Sequence, residues 1–78
     1  PSGPGAIPPF IELFNAGDVP EDLSGWRITG GVDFTFPAGF RLQAGQFAVV
    51  SANPAALQSA TGLTDVLGPF TGSLSGLG

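Results

Sequence analysis

The spacing of glycine and proline constrains this chain more than any other feature. Glycine or proline interrupts it at Gly17, Pro20, Gly25, Gly30-Gly31, Pro37, Gly39, Gly45, Pro54, Gly62 and Gly68-Pro69. Proline fixes φ and has no N–H, and glycine takes positive φ without steric penalty, so each position turns or stops regular structure. The intervals left between them suit strands of about five or six residues and are too short for a series of helices. Such a density of turn formers is also found in disordered chains. Here 42% of the residues are hydrophobic, with seven Phe and one Trp against six acidic residues and two arginines. Disordered segments are poor in aromatics, so the composition predicts a folded, turn-dense domain.

Alternation fills the intervals. Residues 1–9 are Pro- and Gly-rich and read as a leader or linker arm, with residues 10–78 as one domain. Residues 10–15 form a strand candidate with Ile11 and Leu13 on one face and Phe10, Glu12 and Phe14 on the other. Both faces are apolar in part, which predicts cover on both sides for some of its length. Residues 15–22 read as turn throughout. Residues 23–29 form a second strand, Gly30-Gly31 a two-residue hairpin turn, and residues 32–36 a return strand with Val32, Phe34 and Phe36 inward. Short strands follow at residues 40–42 and 46–51, the latter apolar enough for burial on both faces, and a weak one at 64–67. Asn53-Pro54 opens the single helix, near residues 54–60, with Gly62 as its stop. The tail from Gly72 to Gly78 is too glycine-rich to order alone. The sum is an all-β sandwich of short antiparallel strands with one short helix.

The residue types that are missing narrow the function. Cys, His, Met, Tyr and Lys are absent. Without Cys or His there is no thiolate metal site, no cysteine nucleophile and no imidazole base. Ser51, Ser59, Ser73 and Ser75 have no His or Lys to activate them. No pair of acids is spaced for glycoside hydrolysis. A net charge of −4 with two arginines argues against nucleic acid as partner. Apolar runs such as residues 47–50 are far too short for membrane insertion. Asp18, Glu21 and Asp22 lie close together in one loop and form a weak calcium candidate, though without EF-hand spacing. No cofactor is expected, and the reading is of a protein that is not an enzyme. The chain begins at Pro1, which reads as a processed or trimmed product.

Glu12-Leu13-Phe14-Asn15, a polar loop, and then Leu23-Ser24-Gly25-Trp26 resemble the opening of the lamin-tail domain family in its bacterial secreted versions. Phe36-Pro37-Ala38-Gly39, the apolar run at 47–51 and Gly68-Pro69-Phe70 are similar to later parts of that family. The resemblance covers about residues 9–78 and implies an immunoglobulin-like β-sandwich outside the cell. The motif residues have structural expectations of their own. Trp26 is expected as the large inner-face anchor, and Gly25 as a close approach or bulge beside the indole. Asn15 is expected to hold the backbone of the loop leading to Leu23. Glu12 is expected to pair with Arg27 or Arg41, and the phenylalanines to form the core.

The resemblance also implies two closing strands that would follow residue 78. A sandwich short of them exposes an apolar groove and free sheet edges. The strands could lie on a longer parent chain, come from a neighbouring copy, or be dispensable. Residues 1–9, the tail from Gly72, and residues 10–14 are the candidate donors. The leading expectation is an extracellular structural subunit that forms a homo-oligomer or filament through its sheet edges. The alternative is a binding or adhesion module cut from a larger secreted protein.

Overall fold

The computed structural model describes residues 7–73. The alternating Phe10–Phe14 segment forms β1 and pairs antiparallel with β6 (Phe47–Ser51), from Phe10 opposite Ser51 to Phe14 opposite Phe47. Ile11 and Leu13 turn toward the core, while Phe10 and Phe14 are exposed. Cover on both faces therefore does not extend over β1. On β6 the inner face is buried at Ala48 and Val50, while the outer face passes from Phe47, 59% exposed, through half-buried Val49 to buried Ser51. The covered end is where the helix α1 (Pro54–Thr61) packs against β6 and β7 (Val66–Leu67).

That helix has the caps its sequence predicts. The Asn53 side chain accepts from the Ala56 N–H, Pro54 occupies the first turn, and Gly62 closes the helix in the left-handed conformation. Because α1 connects them, β6 and β7 run parallel, unlike the other strand pairs among the described residues.

A second sheet has the order β3 (Arg27–Ile28), β4 (Val32–Thr35), β8 (Thr71–Gly72). The β3–β4 register sets Ile28 opposite Phe34, which puts five residues in the connection, not a two-residue turn. A type I′ turn needs positive φ at both central residues, and of the two glycines only Gly30 has it. Val32 and Asp33 pair with β8 instead. There Gly72 lies so close to Gly31 and Val32 that no Cβ would fit. The remaining pair, β2 (Glu21–Asp22) with β5 (Arg41–Leu42), puts strand where turn chemistry was expected.

One turn design recurs. Leu23–Trp26, Pro37–Phe40 and Gln43–Gln46 each close with a hydrogen bond from the fourth N–H to the first carbonyl, and each has glycine third with φ between +73° and +83°. These are type II turns. The first one splits the expected strand at 23–29.

The three small sheets enclose one core of Leu23, Val32, Phe36, Leu42, Ala48, Val50 and Phe70. Phe36 is its aromatic centre, edge-on to Phe34 and stacked on Phe40, both at 5.2 Å between centroids. Leu57 is also buried, but outside this cluster, beneath the helix.

Candidate functional site

Asn15 organises the region below β1. Its side-chain amide donates to the Val19 carbonyl at 2.8 Å and to the Leu42 carbonyl at 2.9 Å, and its Oδ1 accepts from the Gly17 N–H. Its backbone N–H donates to the Gln46 carbonyl. Only 6% exposed, it ties the loop after β1 to β5 and to the turn that enters β6. Ser51 does similar work at the other end of β6, donating to the Pro9 carbonyl and accepting from the Asn53 N–H. Both are structural uses of polar side chains.

Between β1 and β3 lies an open groove of about 310 Å³, lined chiefly by Leu13, Leu23, Trp26, Ile28, Phe36 and Leu42, with Glu21 and Arg27 also in its wall. Trp26 is 61% exposed. It is therefore not the buried anchor, a role Phe36 takes at 3%. The indole does lie on the core side, since the Phe36 N–H donates to the Trp26 carbonyl and continues the β3–β4 register. Trp26 is exposed because it stands at an outer strand with no neighbour among the described residues to cover it. Gly25 serves the turn, where its φ of +73° is one that side-chain-bearing residues rarely adopt.

Phe14 lines the same groove and also packs against Phe47, rings tilted by 37° at 4.6 Å between centroids, across the outer face of β1 and β6. Phe14, Phe47 and Trp26 are each more than half exposed, and Phe14 belongs both to the groove wall with Trp26 and to the outer-face pair with Phe47. Phe10 and Leu63 add to the apolar surface at 43% and 45% exposure. Three of the seven phenylalanines, Phe10, Phe14 and Phe47, are surface residues and not core.

The margin of β1 also offers backbone. The Ala52 N–H donates to the Pro9 carbonyl and the Asn15 N–H to the Gln46 carbonyl, so the odd-numbered residues face β6. Antiparallel ladders alternate by residue, so Phe10, Glu12 and Phe14 direct their N–H and C=O groups away from β6. β1 is an outer strand of its sheet, with no strand beyond it among the described residues.

The charged residues are placed differently from expectation. Arg27 does not meet Glu12. It makes a two-pronged pair with Asp33 on the neighbouring strand, at 2.9 and 2.7 Å. Hydrogen bonding from Arg27 holds the Asp33 carboxyl below the usual aspartate range, and Asp33 in turn raises Arg27. Asp22 is lowered chiefly by the Ser24 hydroxyl, next by the Ser24 N–H, and more weakly by Arg41. Asp18, Glu21 and Asp22 do not gather into a calcium site. No three such side chains meet among the described residues, and Asp22 is already engaged with Ser24. Glu21 and Asp22 are successive strand residues and point to opposite faces.

The exposed aromatics and the Arg27–Asp33 pair escaped the sequence reading. Alternation did put Phe14 on the face opposite Leu13, but it carries no information on whether that face is covered.

Small sheets around a single aromatic core, linked by glycine turns, make this an immunoglobulin-like β-sandwich module. The lamin tail domain family matches residues 1–73, and the chain belongs to that family. No curated protein and no solved structure shows significant similarity to it.

Proposed function

We propose that this domain is a non-enzymatic, extracellular structural module that assembles with copies of itself through its free sheet edges into a filament or surface layer. The observation that carries the reading is the apolar groove beside β1, lined by the exposed Phe14 and Trp26, with Phe47 packed against Phe14. Contiguous apolar surface next to unpaired strand backbone marks an interaction site on a small soluble domain. The residue types present support a binding role over a chemical one, since the groove is walled by aliphatic and aromatic groups and its charged members, Glu21 and Arg27, have no nucleophile between them. Low charge density weakens repulsion between copies. The extracellular part of the reading rests on the resemblance to secreted members of the family.

Electron microscopy of the native material, with the intact mass of its subunit, tests this. Repeating filaments whose subunit contains this domain are expected. Antibody labelling of intact cells is expected to find the material outside. A dispersed monomer at every concentration overturns self-assembly and favours an accessory module of a larger secreted protein.

A further inference from the structure

We infer that the partner at the free edge of β1 is β1 of a second copy, paired antiparallel about a two-fold axis through Glu12. This rests on the self-assembly reading and names its interface. The sequence of β1, Phe10-Ile11-Glu12-Leu13-Phe14, reads nearly the same in both directions. An antiparallel pair related by a two-fold axis needs that property, because each residue must suit its counterpart from the other end.

The backbone fixes the register. Only Phe10, Glu12 and Phe14 offer N–H and C=O groups to the free edge. A partner β1 must present the same three, so the two residue numbers in every hydrogen-bonded pair are even. Full overlap of the five residues is reached only with Phe10 opposite Phe14, Glu12 opposite Glu12, and Phe14 opposite Phe10. Slipping toward the N-terminus gains nothing, since Pro8 and Pro9 have no N–H to donate.

The side chains agree with this register on both faces. On the outer face each Phe14, already packed against Phe47, receives the second copy's Phe10. On the inner face Ile11 meets Leu13, and the second copy's pair enters the mouth of the groove where Leu13, Trp26 and Ile28 are exposed or half-buried. Glu12 against Glu12 at the axis is an unfavourable contact. Like charges directly opposite weaken a strand pair. Glu12 thus sets the strength of the contact, and β3 and β7 remain free as outer strands through which dimers can extend into a filament.

Sedimentation of the whole chain over a range of concentrations tests the inference. Wild type is expected to show a monomer–dimer step. Glu12→Gln removes the repulsion and is expected to tighten the dimer roughly threefold or more. Glu12→Pro removes the central edge donor without touching the β1–β6 ladder and is expected to abolish the dimer, with folding checked by circular dichroism. An equimolar mixture of Glu12→Arg and wild type is expected to form heterodimers in preference to either homodimer, which holds as a test even if the proline variant does not fold. Unbiased mixing, or a folded Glu12→Pro that dimerises like wild type, overturns the β1 interface. If that folded variant still assembles, self-assembly stands and uses another edge. If neither wild type nor Glu12→Gln associates at any concentration, both readings fall.

Discussion

Burial separates two aromatic residues that composition treats alike. Phe36 touches two other rings and is sealed in the core. Phe36→Ala is expected to cost about 3–5 kcal/mol in denaturant unfolding, the usual range for a large core truncation. Trp26→Ala is expected to cost less than about 1.5 kcal/mol, because the indole loses little burial. Equal losses for the two would contradict the core assignment. Asn15→Ala leaves the Val19 and Leu42 carbonyls without their donor and is expected to destabilise by about 1–3 kcal/mol, read by the same titration. Asn15 was legible in the sequence because its turn chemistry is local. The exposure of Trp26 was not: alternation assigns a side chain to a face, and only the number of strands beyond it decides whether that face is covered.

Among the elements, glycines divide by what surrounds them. At Gly25 the backbone has positive φ but the space is open, so Gly25→Ala carries only the conformational penalty, about 1–2 kcal/mol. At Gly72 a methyl group would run into the Gly31 carbonyl as well. Gly72→Ala is expected to cost more than Gly25→Ala and to speed amide exchange along the β4–β8 pair. Acid acts on different contacts. Asp22 and Asp33 both have folded-state pKa values below their unfolded ones. Their contribution is therefore complete above the unfolded value, about 3.9, and is lost as pH falls through the lower folded values. Stability is expected to be flat in these groups from pH 7 to pH 5 and to fall below about pH 4. Asp33→Asn is expected to reduce that acid-limb slope; an unchanged slope would contradict the Arg27–Asp33 pair. The helix and β1 were legible almost to the residue, since caps and period-two alternation are local signals. β2 and β8 were missed because two-residue strands have no period, and their pairing is fixed by distant partners.

At the scale of the molecule, a domain this small without disulfides has little margin from its core alone. Its three small sheets leave outer strands, and the most regular of them, β1, carries the exposed Phe14 against Phe47 of β6. The sandwich class was legible from turn spacing together with the family resemblance. The location of the groove was not, because it depends on which strands are neighbours. Docking of a second copy at the free edge of β1 is readable in solution by amide hydrogen exchange, measured residue by residue along β1 at rising protein concentration. Ile11 and Leu13 face β6 and are expected to be protected at all concentrations. Glu12 and Phe14 are expected to exchange rapidly in dilute solution and to become protected together as concentration rises. Rapid exchange of those two amides at every concentration, or protection that does not depend on concentration, would contradict the account.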